Sequence, residues 1–214
     1  DNKKESENYK NYLNNGITNG INFNVKIISY SFWDIKKTHI LNITLPKLFS
    51  SCKDDFEAYY KNKYPERGLT WFLDFSILEI KYLYLTNKYL SKSTLPQILI
   101  LLELEKSKTL SINKLSEILG CSTEIIKNNI RGLIYNSNFN RLCKNDKGVL
   151  ISVNNKTQDF TDKDEFKINL NFTHDKLKFS TIPMEKKKTE EQINNEEKLT
   201  AKQKKKKEDS IIQS

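Results

Sequence analysis

His39 and His174 are the two histidines of this 214-residue sequence, and neither stands with a Cys, Asp or Ser in a triad or metal-ligand spacing. Cys52, Cys121 and Cys143 are odd in number and widely spaced, with no CxxC pair. That pattern argues against a disulfide framework and for a reducing compartment. Asp54-Asp55 reads better as charge near the start of a helix than as paired carboxylates for acid–base work. No glycine-rich phosphate loop is present. The residue types that could do covalent chemistry are therefore not grouped to do it, and the sequence reads as a non-enzyme needing no cofactor and no metal.

Binding chemistry is better represented. Lys127 and Arg131, with Asn128 and Asn129 between them, could face a nucleic acid from one helix, opposed by Glu124. Two cations are few for a helix that must neutralise several phosphates. The net charge of +9 favours an acidic partner, although a lysine-rich surface also serves solubility alone. Apolar residues make up 37% and charged residues 29%, a surface-rich composition. The most apolar run, Leu95 to Leu104, is about half the ~20 residues a membrane span needs and contains Pro96 and Glu103. No membrane association is expected.

The elements that must position any site begin with FEAYYKNKYPERGLTW, residues 56–71. Ser51 is placed to cap a helix, with Asp54 three residues later in a box-like start. Phe56, Tyr59 and Tyr60 fall on one helical face, which predicts that the face is buried. Pro65 turns Tyr64 away from helical dihedrals, and Gly68 offers the permissive backbone for a reversal. Leu69, Thr70 and Trp71 have strand chemistry.

Before this helix, residues 1–21 read as a fraying helix end around Tyr9 to Leu13, then a loop. Phe23, Val25 and Ile27 alternate along a half-buried strand, Phe23 to Ile28. Ser76 to Leu85 is apolar on both faces, as a central or doubly covered strand would be, and Tyr89 to Ser91 forms a shorter strand after an Asn87-Lys88 turn. The resulting sheet is too thin to bury both faces, so the next domain or a partner must cover it.

Residues 94–153 predict three capped helices. Thr94 caps the first, which has Pro96 in its first turn and Ile98, Leu99, Leu101 and Leu102 inward. Ser111 caps the second and Gly120 ends it; Ser122 caps the third, with Ile125, Ile126, Ile130, Leu133 and Ile134 recurring at the helical period. Phe139–Cys143 and Val149–Val153 then form a hairpin around Asn145, Asp146 and Gly148, completing a winged helix. Phe166–Asn171 and Leu177–Ile182 are placed to extend the same sheet. From Pro183 the chain holds nine Lys against seven acids, a solvated helix or a disordered linker.

The string Phe56, Tyr59, Tyr60, Lys63, Arg67, Leu69, Thr70, Trp71 resembles the signature of the cullins, scaffold subunits of RING-type ubiquitin ligases. The departures, at Tyr64, Pro65, Glu66 and Gly68, lie in the turn. Val25 to Trp33 resembles the xVxxxSxxxW strand that precedes the aromatic helix in that family, and the resemblance runs from about Tyr9 to Lys198. It implies an α+β fold in four parts: residues 1–21 as the end of a helical bundle and a loop, 22–92 as the cullin α/β sheet domain, 93–182 as a winged-helix domain, and 183–214 as a charged connector toward a second winged helix.

By the same resemblance the sheet accepts a strand from a RING-box protein, which recruits a ubiquitin-conjugating enzyme. Val25, Ile27, Trp71, Leu73, Leu78 and Ile80 are the residues expected on that surface, and ordinary core is their other reading. Lys176 and Lys178 match part of a basic groove for the conjugating enzyme, with Asp175 just before them placing an acid where a base is usual. The lysine modified by a ubiquitin-like protein would lie beyond the connector, so none of these residues is expected to carry it. A substrate adaptor would bind an N-terminal half, and the setting would be cytoplasm and nucleus. The alternative is a winged-helix nucleic-acid-binding protein, distinguished by strongly salt-dependent duplex binding.

Overall fold

The computed structural model describes residues 2–13, 20–28, 41–135, 148–154 and 159–182. The chain divides into two compact units, Asp1–Pro183 and Met184–Ser214, and the described residues lie in the first. The predicted connector, Trp33, His39, Cys143 and the arm Phe139–Cys143 fall outside them.

Five α-helices and two three-stranded sheets make up the described residues: α1 Asn2–Tyr12, α2 Lys47–Lys63, β1 Ile77–Lys81, β2 Leu90–Thr94, α3 Leu95–Ser107, β3 Thr109–Ser111, α4 Ile112–Leu119, α5 Thr123–Tyr135, β4 Leu150–Ser152, β5 Glu165–Ile168 and β6 Lys178–Ser180. The class is α+β. The sheet orders are β1-β2-β6 and β3-β5-β4.

α2 ends as its sequence predicts, with Tyr64 at φ −136° before Pro65, but its N-cap is Pro46 rather than Ser51, so it starts five residues earlier. Pro46 holds the N-cap at φ −56°, and its carbonyl accepts the Phe49 and Ser50 amides at 2.9 and 3.0 Å. The fixed proline ring pre-sets the entry, so Ser51 and Asp54 sit inside the helix rather than capping it. The reversal after it is made by Pro65 and Glu66, with the Arg67 amide on the Tyr64 carbonyl at 3.1 Å; Gly68 needs no left-handed dihedral.

The caps of the next three helices are as read. Thr94 and Gln97 form a reciprocal capping box on α3, Ser111 takes the Lys114 amide at 3.3 Å on α4, and Gly120 closes α4 at φ 67°. α3 is buried almost all round, from Leu95 through Leu101 and again at Leu104, so it is the axis of the larger core rather than a one-sided helix.

The strands correct the expectation in several places. Phe23–Ile28 and Leu69–Trp71 alternate in burial, yet belong to neither sheet. Ser76–Leu85 shortens to β1, an edge strand with Ile77 60% exposed, because Leu78 and Ile80 alone on it face the core. β4, the predicted second arm of a hairpin, pairs antiparallel with β5, which pairs in turn with the unforeseen β3. β6 does not extend that sheet. It crosses to the other one and runs parallel to β2, with Leu90 opposite Lys178.

Two clusters of buried side chains result. The larger gathers α3, α4, α5 and both sheets, and the smaller is Tyr9, Phe56, Tyr59 and Tyr60, with Phe23, Val25, Ile27, Leu69 and Trp71 packed against it.

Candidate docking surface

The smaller cluster is built on the aromatic face of α2. Phe56 is fully buried, and Tyr9 of α1 meets it edge-on at 4.9 Å. α1 is clamped there by Glu5, whose carboxylate accepts from Lys63 at 2.8 Å, Tyr59 at 3.1 Å and Tyr64 at 3.2 Å. Burial would raise the Glu5 pKa, but these donors outweigh it and hold the carboxyl below its usual value.

On the same face Trp71 lies edge-on to Phe56 at 5.9 Å and 6.4 Å from the Phe23 ring. Its indole N–H donates to Glu57 at 2.5 Å, and Lys53 pairs with Glu57 at 2.9 Å. Burial opposes that charge, yet the Lys53 and Trp71 donors leave the Glu57 pKa lowered. Trp71 is thereby fixed in orientation.

The six residues expected on a strand-accepting surface fall into two groups. Val25, Ile27 and Trp71 come together on the α2 cluster, and Leu73, Leu78 and Ile80 pack on the larger core; all are half-buried. Around the first group the backbone has no ladder partner among the described residues, and the Val25 amide donates to Ser6 Oγ at 3.3 Å. Around the second, among the described residues β1 pairs with β2 alone and its other edge has no ladder partner. A backbone row of unpaired donors and acceptors beside apolar side chains is a template for an added strand.

Lys176 and Lys178 are both exposed, Lys176 in the turn before β6 and Lys178 on it. Sequence reasoning missed their companions. The register puts Lys178 and Lys81 on either side of Leu90, and Lys92 opposite Glu79, which it meets at 3.3 Å. Only the strand pairing reveals this, because the parallel crossover has no local sequence signal.

The residues that could read nucleic acid are engaged within the molecule. Lys127 pairs with Asp162 at 2.6 Å; Arg131 donates to Asn128 at 2.8 Å and lies over the Phe160 ring at 5.7 Å. The Asn129 side chain donates to the Ile125 carbonyl at 2.9 Å and accepts from Thr94 at 2.7 Å. Base contact would break these bonds first.

For chemistry the described residues offer little. Cys52 and Cys121 are buried thiols, and burial with Asp74 nearby pushes the Cys121 thiol up. His174 stacks on Phe179 at 4.8 Å. Among the described residues no group of three His, Cys, Asp or Glu could hold a metal, and no helix is long and apolar enough to cross a membrane.

The family described as the Cullin alpha+beta domain matches residues 27–172. Cullin-1 of Dictyostelium discoideum is 28% identical over 117 residues, which cover 53% of this chain and 14% of that protein. Cullin-2 of Caenorhabditis elegans is 25% identical over 95 residues, covering 44% of this chain and 12% of that protein. The aligned part is thus a small fraction of either relative's length.

Proposed function

The chain belongs to the cullin family, and on that premise we propose that it is part of a non-catalytic scaffold of a RING ubiquitin ligase, docking a RING-box protein by strand addition. The observation that carries the reading is the pair of segments around Val25 and Trp71, alternating in burial as strands do but outside both sheets. Their inward side chains are already seated on α2, so an incoming strand finds ordered neighbours and gains backbone hydrogen bonds with little ordering cost. The RING-box protein would then recruit a ubiquitin-conjugating enzyme, and the scaffold would act by proximity. Lys176 and Lys178 are the residues proposed to face that enzyme.

Residues 22–92 are the proposed strand-accepting sheet domain and 93–182 a winged helix. The order α3, β3, α4, α5, β4, β5 supports the second reading. As a nucleic-acid reader this helix set is the weaker proposition, because α5 has already committed its cations and asparagines.

Co-expression with a RING-box protein should give a complex that survives high salt. Lys26→Pro is the sharper test, since Lys26 is exposed and its replacement removes a backbone donor without touching the core. Affinity should fall about tenfold or more, the loss of one or two hydrogen bonds, while Lys26→Ala binds as the parent. No complex with the parent chain, or equal binding by the proline variant, would remove the proposal.

A further inference from the structure

Ser91, Ser93, Gln97 and Thr181 are completely buried polar side chains in the larger core. A buried polar group left unpaired costs about 1–3 kcal/mol, so the bonds these residues make constrain one another. Gln97 Nε2 lies 2.8 Å from the Thr181 carbonyl oxygen and 3.3 Å from that of Asn129. Carbonyl oxygens only accept, which fixes the orientation of the amide. Gln97 Oε1 therefore accepts the Thr94 amide at 3.0 Å and the Thr181 hydroxyl at 2.8 Å.

One hydrogen per hydroxyl then sets the direction of everything upstream. Thr181 donates to Gln97, so Ser93 donates to Thr181 at 2.6 Å, Ser91 to Ser93 at 3.0 Å and Tyr82 to Ser91 at 2.9 Å. Burial pushes the Tyr82 phenol up to about 12, so the chain keeps its terminal donor at neutral pH. Downstream, the Thr94 hydroxyl accepts the Gln97 amide at 3.4 Å and donates to Asn129 Oδ1 on α5 at 2.7 Å. A single glutamine amide thus joins the end of β6 to the cap of α3 and, through Thr94, to α5.

β6 completes its sheet through a short ladder and a single aromatic anchor. Its pairing with β2 is parallel and spans three residues, flanked by the Leu90 amide on Leu177 at 2.8 Å and the Thr181 amide on Lys92 at 2.9 Å. Phe179 is its one apolar side chain in the core.

We infer that β6 is a releasable strap and that Gln97 is the positioning residue that couples its state to α3 and α5. With the strap seated, the hydroxyl chain is complete and the capping box closed. With it lifted, Gln97 loses both Thr181 contacts in a buried site, and the cap it makes with Thr94 loosens with it. This is coupling through shared partners in one two-state element.

Amide hydrogen exchange on the full chain tests the inference. Thr181→Val removes the hydroxyl from the relay, whereas Phe179→Leu loosens the strap by packing, its ring contact with Tyr82 included, and keeps every hydroxyl and amide of the relay. In both variants the Leu90 and Thr181 amides should exchange about tenfold faster, equivalent to about 1.4 kcal/mol. The Thr94 and Gln97 amides should accelerate with them, while the Gly120 amide on Ser116, within α4, should not. Acceleration at Leu90 and Thr181 with none at Thr94 and Gln97 would show a strap that is not sensed. No acceleration at Leu90 and Thr181, or equal acceleration at Gly120, would show that β6 does not open by itself. If Thr181→Val does not fold, Phe179→Leu decides the matter alone.

Discussion

Gly148 shows how a single residue's role can escape its sequence. As a turn residue of a hairpin it would be chosen for backbone freedom, but its chain passes so close to α5 that an added Cβ would lie 2.6 Å from Ile134 Cα. The Val149 amide donates to the Leu133 carbonyl at 2.9 Å, and the Gly148 carbonyl accepts from Asn169 at 2.9 Å. Gly148→Ala must push backbone against backbone, and should lower stability by about 1–3 kcal/mol in urea melts. Lys108 is the converse case. It follows α3 at φ 61° and ψ −48°, where a side chain is strained, so Lys108→Gly should raise stability by about 0.5–1 kcal/mol in the same assay. Glu5 supplies a pH dependence. Its folded pKa lies below the unfolded value, so its contribution is complete above the ordinary carboxylate range and is lost as pH falls through the folded pKa. Glu5→Gln should flatten the acid limb of the stability profile. Gly148 and Lys108 were illegible because their meaning depends on backbone geometry that no local pattern encodes.

At the level of elements, what was legible was what local chemistry alone decides. Thr94, Ser111, Ser122 and Gly120 mark their helix ends because a cap is made within four residues, and Phe56, Tyr59 and Tyr60 mark a buried face because helical spacing is fixed. Thr94→Ala should cost about 1–2 kcal/mol, at the upper end for a cap, since the hydroxyl also serves Asn129; thermal unfolding would register it. Strand partners were the illegible part. Alternation in Phe23–Ile28 reports a side facing a core, and it is realised, but alternation cannot say whether a neighbouring strand exists. The same limit hid β6, whose partner β2 lies more than eighty residues earlier. The proposed docking surface was therefore readable as side chains and unreadable as an edge. Val25, Ile27 and Trp71 group together, while Leu73, Leu78 and Ile80 answer to a different core.

For the molecule as a whole, those two clusters differ in what holds them. The larger has α3 at its axis and layers on several sides, whereas the smaller has α2, α1 and two segments that no ladder among the described residues ties down. α2 touches both, through Phe49 near its start and Phe56 to Tyr60 further on. Local stability follows local burial and hydrogen bonding, so the smaller cluster should open first. Trp71 reports it, once Trp33→Phe leaves a single tryptophan. In urea the Trp71 fluorescence midpoint should fall about 0.5 M or more below that of the helical circular dichroism, a failure of coincidence that excludes a single transition. If the proposed docking holds, a strand donated by a RING-box protein binds the folded form of the smaller cluster alone. At about 100-fold excess over its Kd it adds about 2.7 kcal/mol there, enough to raise the fluorescence midpoint toward the other. Coincident midpoints in the free chain would mean that α2 already welds the clusters into one cooperative unit. Separate midpoints that a bound RING-box protein leaves unmoved would place its contacts away from Val25, Ile27 and Trp71.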